Sequence, residues 1–158
     1  VGENSQQRAL LLHFAVNGQP LDRSLVVGAV IEAELVFYPS AYPLRALIKQ
    51  RFATQALTRF VATATIDSAL THYAAALALL PWLDRFPMTL QAVVPFFEAE
   101  RCWISDSEQC ALPLSANFSA IWKLLALSGG EPISLFGEWN GDSLLPLSAL
   151  VDKKVVLL

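Results

Sequence analysis

Five consecutive residues, Glu138-Trp139-Asn140-Gly141-Asp142, hold two carboxylates, an indole and a turn-forming dipeptide. Two carboxylates beside an aromatic ring are the parts of a glycosidase: an acid for the leaving oxygen, a base or nucleophile opposite it, and a surface on which a sugar stacks. The same letters have a structural reading. Asn-Gly between two apolar alternating runs is the strongest local hairpin signal, because a type I′ turn requires positive φ at both central residues. Counting outward from Asn140-Gly141 sets Trp139 opposite Asp142, Glu138 opposite Ser143, Gly137 opposite Leu144 and Phe136 opposite Leu145. Glu138 and Asp142 then project from opposite sides of the pleat. Glycosidase carboxylates face each other across roughly 5 to 10 Å. The expectation is a scaffolding hairpin. A carbohydrate-active hydrolase using Glu138 or Asp142, with Trp139 as a stacking platform, is the alternative.

A second group could hold a phosphate backbone. No acid occurs between Glu34 and Asp67, while Arg45, Lys49, Arg51 and Arg59 all fall there, with Phe52 and Phe60 among them. Cations interleaved with aromatics can neutralise phosphates and stack bases. The same stretch also serves as a solvated face or as a docking surface for an acidic neighbour domain. These four residues are the candidate partner-binding set.

Other chemistries lack their parts. Cys102 and Cys110 are separated by seven residues, and His13 and His72 lie far from both, so the short paired spacings of a zinc site are missing. A hairpin through Asp106 would set the two thiols opposite each other; otherwise they are small buried residues. No G-x-S-x-G elbow occurs. Gly129-Gly130 is followed by Glu131-Pro132, which puts an acid where a phosphate-binding loop needs a lysine. No dinucleotide fingerprint is present. No catalytic residue, metal or cofactor is assigned.

The elements that must carry these residues follow from periodicity. Arg8–Val16 is apolar up to Asn17-Gly18 and suits a strand or a short helix. In Val30–Tyr38 the acids Glu32 and Glu34 alternate with Ile31, Ala33 and Leu35, as in a half-buried strand closed by Pro39 and Pro43. The following PLRALIKQRF reads as strand or short helix. Thr65–Leu80 is a helix capped by Thr65, with Leu70, Tyr73, Leu77 and Leu80 on one face. Leu90–Phe97, Cys102–Ile104 and Ala111–Leu114 are extended around a polar turn at Asp106–Gln109. A second helix starts after Asn117, buries Phe118, Ile121, Trp122 and Leu125, and stops at Gly129-Gly130. The order is strands, helix, hairpin, helix, hairpin. That predicts an α+β fold with a mostly antiparallel sheet and two principal helices.

The bulk properties agree with one globular domain over 1–158. Apolar residues make up 54% of the chain and charged residues 16%, which predicts a well-filled core and some surface that is either apolar or covered by a partner. A net charge of -3 argues against a protein devoted to nucleic acid. The apolar run Ala74–Leu83 is too short to span a bilayer and Pro81 interrupts it. No secretory signal is visible and the cysteines form no disulfide framework, which predicts a cytoplasmic protein. The chain begins with Val, which suggests a piece of a longer protein.

Two stretches, AELVFYPSAYPLRALIKQR and KLLALSGGEPISLFGEWNGDSLLPLSA, resemble the C-terminal region of bacterial SWIM zinc-finger family proteins. The similarity covers Phe37–Arg51 and Leu124–Ala149: a Tyr-Pro strand end before Pro-Leu-Arg-Ala-Leu, then a helix, a Gly-Gly stop and a Phe-Gly-Glu-Trp-x-Gly hairpin. The family's zinc pattern, C-x-C followed by C-x-H, is absent from this chain. The resemblance therefore implies that metal lies elsewhere in a parent protein, and that the parent binds DNA or protein. The functional expectation is a non-catalytic accessory or interaction domain beside a zinc module. A stand-alone nucleic-acid-binding module acting through the basic stretch is a further alternative.

Overall fold

A computed structural model describes residues 10–11, 29–39, 45–60 and 64–158. His13, Asn17-Gly18 and Pro43 lie outside them. The chain divides into two compact units, Val1–Ala56 and Leu57–Leu158. The described residues form an α+β fold of mostly antiparallel strands with two helices, as the sequence pattern predicts.

In the first unit, strand β1 (Leu10–Leu11) pairs in parallel with β3 (Arg45–Ala56), which pairs antiparallel with β2 (Ala29–Phe37). The segment left open between strand and helix is thus a strand. Exposure along β2 alternates from Ile31 to Glu34 as the acid spacing predicts, but Leu35, Val36 and Phe37 are all exposed. Register shifts occur between Glu32 and Ala33 and between Glu34 and Leu35, where β3 carries the extra residues Phe52 and Lys49. Each bulge twists the ribbon locally and breaks strict alternation.

The second unit contains helix α1 (Ile66–Leu79), strands β4 (Phe86–Glu98), β5 (Arg101–Ser105) and β6 (Ala111–Pro113), helix α2 (Ile121–Ser128), and strands β7 (Ile133–Trp139), β8 (Leu144–Val151) and β9 (Lys154–Leu157). Its six-stranded sheet runs β6-β5-β4-β7-β8-β9, with antiparallel neighbours throughout. The buried cluster lies here: Leu90, Val93, Ile104, Leu135 and Leu144 from the sheet and Leu114 just after β6 pack with Ile66 and Ala69 of α1 and Leu124 of α2.

β4 carries two prolines although it is an inner strand. It tolerates them because it changes partners along its length. Phe86–Val93 pairs with β7, and Val94–Glu98 pairs with β5. Each half has a free side where a missing N–H costs nothing. The changeover is a bulge between Leu90 and Val93, where Ala92 takes φ 51°. The chain ahead of α1 fills part of one free side: Ala64 N donates to Thr89 O, and Gln91 N donates to Ala64 O.

Helix α1 starts where its cap predicts, with Thr65 Oγ1 accepting from Ser68 N. Its inner side is Ile66 and Ala69, with Leu70, Tyr73, Leu77 and Leu80 half-buried. α2 departs from expectation. It begins at Ile121, and Asn117 does not cap it; Asn117 N instead donates to Ser115 Oγ in the preceding turn. The displaced start rotates the buried stripe onto Leu124 and Ser128 and leaves Trp122 in solvent. Gly129 ends the helix in the left-handed region at φ 57°, its N–H on Leu125 O. No helix among the described residues is long and apolar enough to cross a membrane.

Candidate functional site

The Glu138–Asp142 stretch does form a hairpin, but in a register different from the expected one. Trp139 pairs with Leu144, Glu138 with Leu145 and Gly137 with Pro146. The cause is the Asn140 side chain. Its Oδ1 accepts from Asp142 N at 2.9 Å and from Ser143 N at 2.8 Å. An Asx turn of this kind takes over the role of a backbone turn and moves the bend one residue on. The positive φ, 97°, accordingly falls on Gly141. Tyr73 of α1 closes over the turn, and a Cβ at Gly141 would sit 3.0 Å from its hydroxyl.

Glu138 stands on the outward face of the sheet, opposite Pro87 on one side and Leu145 on the other. Trp139 turns into the core. It is therefore no stacking platform, which removes that part of the glycosidase expectation. Arg85, just ahead of β4, reaches Glu138: Nη1 donates to Oε2 at 3.0 Å. This pair flanks a cleft of about 140 Å³. Asn140 and Ser143 of the turn line it together with Leu145. Ser115 and Asn117 close it from the turn after β6, which is held against β8 by Ser115 N donating to Leu144 O. Asp142 is exposed and does not line the cleft, so among the described residues a single carboxylate faces it.

A second polar centre is structural. Asp106 is buried, and its carboxylate accepts three backbone N–H groups. Oδ2 takes Ile66 N at 2.8 Å, and Oδ1 takes Glu108 N at 3.0 Å and Cys110 N at 3.1 Å. One side chain thus closes the β5–β6 turn and satisfies the first N–H of α1, forty residues away in sequence.

The thiols are not opposed. β5 and β6 pair Ser105 with Ala111 and Trp103 with Pro113, and Leu114 N donates to Cys102 O, so Cys102 lies alongside Leu114. Both cysteines are free. Burial pushes the Cys102 thiol up from its usual range. Desolvation, followed by the carboxylates of Asp106, Asp67 and Glu108, raises that of Cys110. A nucleophilic cysteine needs the opposite environment. His72 is exposed on α1. Among the described residues no group of three or more His, Cys, Asp or Glu could hold a metal ion.

The four basic residues fall in both units. Arg45 opens β3 at the position paired with Leu10. Lys49, at a bulge, is bound to Glu34 at 2.6 Å, and Arg51 is half-buried and engaged. Arg59 is exposed and belongs to the second unit.

Apolar surface is concentrated at two places in the second unit. Phe97 and Trp122 are 53% and 76% exposed, and their rings lie stacked at 15° with centroids 6.4 Å apart. At the end of α1, Leu79 and Trp82 are 81% and 73% exposed. Comparison with family models, curated proteins and solved structures returned no match to this chain.

Proposed function

We propose that this chain is a non-catalytic accessory domain of a larger cytoplasmic protein resembling the SWIM zinc-finger family. Its role is to offer an interaction surface to a macromolecular partner, in the first place the neighbouring domain of the parent chain. One observation carries this reading: the Phe97–Trp122 stack, two large aromatic side chains ordered against each other in solvent. Large aromatics are the residues most enriched at the energetic centres of interfaces, because they bury much area at small cost in side-chain entropy. The exposed Leu79 and Trp82 add apolar surface of the same kind.

The test is site-specific photo-crosslinking in the intact parent protein. A benzophenone amino acid at Trp122 should give a crosslinked product that Phe97→Ser abolishes. The same label at exposed Gln109 should give none. Equal products at both positions, or none at either, would sink the reading. The nucleic-acid alternative makes a separate prediction: affinity for duplex DNA that falls steeply with salt and drops when Lys49 and Arg59 are neutralised. Lys49 already has Glu34 as its partner, which weakens this second reading.

A further inference from the structure

The cleft beside the β7–β8 turn is unused by the reading above, and its chemistry is specific. All but one of its lining residues are polar. They come from four separate places in the chain: the approach to β4, the turn after β6, β7 with its turn, and β8. Convergence of polar groups from several segments on one concavity is the usual architecture of a small-ligand site.

The charges cancel. Arg85 and Glu138 neutralise each other at 3.0 Å, so an anion would meet the carboxylate and a cation the guanidinium. An apolar ligand would strip water from six polar side chains and return no hydrogen bond to them. What remains is a neutral ligand that both donates and accepts hydrogen bonds. Spare capacity of both kinds is present. The second carboxylate oxygen of Glu138 and the hydroxyls of Ser115 and Ser143 accept. The remaining guanidinium N–H groups, the Asn117 amide and the same hydroxyls donate.

Among neutral ligands, adjacent hydroxyls match the geometry. Oxygens on neighbouring ring carbons lie about one hydrogen-bond length apart, as do Arg85 Nη1 and Glu138 Oε2. One hydroxyl can accept from the guanidinium while its neighbour donates to the carboxylate. We infer that this cleft binds the vicinal diol of a carbohydrate, without cleaving it. Cleavage needs two carboxylates facing each other across the substrate, and among the described residues Glu138 is the only acid lining the cleft. The inference does not depend on the Phe97–Trp122 surface.

The test is an amide-resolved NMR titration of the 158-residue chain with methyl pyranosides of mannose, galactose and glucose. At least one should give saturable shifts confined to Ser115, Asn117, Glu138, Asn140 and Ser143, in the millimolar range. Glu138→Gln and Arg85→Gln should each weaken it about tenfold, the cost of one charge-assisted hydrogen bond. Asn117 is exposed, so Asn117→Ala should leave the rest of the spectrum unchanged and still weaken binding. A glycoside methylated on the two matched hydroxyls should not bind. The inference is overturned by any of three results: no saturable shift with any glycoside, equal binding of the methylated glycoside or of a blocked dipeptide amide, or hydrolysis of the bound glycoside.

Discussion

Asp106 is the residue on which the most local structure depends. Replacing it with Ala leaves three backbone N–H groups without their acceptor, those of Ile66, Glu108 and Cys110. The expected loss is about 3 kcal/mol, since bonds to a charged acceptor are worth more than neutral ones and stranded donors carry a desolvation penalty. Urea unfolding with an unchanged slope would register it; a loss under about 1 kcal/mol would show that water replaces the carboxylate freely. Gly137 is a second such position. A Cβ there would stand 2.6 Å from Leu145 O, a backbone atom that cannot rotate away. Gly137→Ala should therefore cost roughly 2 to 3 kcal/mol through overpacking, and should broaden the amide signals of Asn140 and Ser143 next to the cleft. The thiols give a pH prediction. Both have folded-state pKa values raised above the ordinary 9.0, so the folded state holds its protons more tightly than the unfolded chain. Their contribution is fully present below pH 9.0 and is lost as pH rises through the folded values. Replacing both cysteines with Ala should flatten the fall in stability above that pH, read from denaturation midpoints across the alkaline range.

The elements were legible where a short stretch of sequence decides them. Thr65 before an amphipathic run gives α1 and its cap, and Glu32 alternating with Ile31 and Ala33 gives the first part of β2. Turns were less so. The Asn140-Gly141 pair makes no type I′ turn, because its Asn side chain captures two N–H groups first. Ala99-Glu100, which no turn rule selects, and Asp152-Lys153, where only the aspartate suits a type I′ turn, both join paired strands with positive φ at each residue. Closure of the flanking strands imposes those angles, and non-glycine residues pay about 1 kcal/mol or more each for the left-handed region. The double substitution of Ala99-Glu100 by Asn-Gly should thus stabilise the fold by about 1 kcal/mol and raise Tm by roughly 2 to 4 °C. No rise in a thermal melt would mean that the turn relaxes in solution. The cleft was half legible for a related reason. Glu138 was singled out from its neighbours in sequence, but Arg85 and Asn117 reach it only through the β4–β7 pairing and the turn after β6. Single-sequence periodicity does not encode which strands become neighbours.

At the scale of the molecule, the hydrophobic cluster formed by the described residues has a definite address. Every residue of the buried cluster, from Ile66 to Ala149, lies within Leu57–Leu158, as do the six-stranded sheet, both described helices and the polar cleft. Core burial is what stabilises a domain of this size, and hydrogen-bonded strands with exposed faces contribute far less. A fragment comprising 57–158 should therefore fold alone. All four tryptophans fall in it, and Trp139 is buried against the sheet, so its emission reports the core directly. The expected outcome is a single cooperative unfolding transition followed by tryptophan fluorescence, with a midpoint within a few degrees of the full chain's. A non-cooperative transition would show that Val1–Ala56 supplies essential packing. A midpoint that matches, with a urea slope almost unchanged from the full chain's, would show that the first unit unfolds with little buried surface of its own.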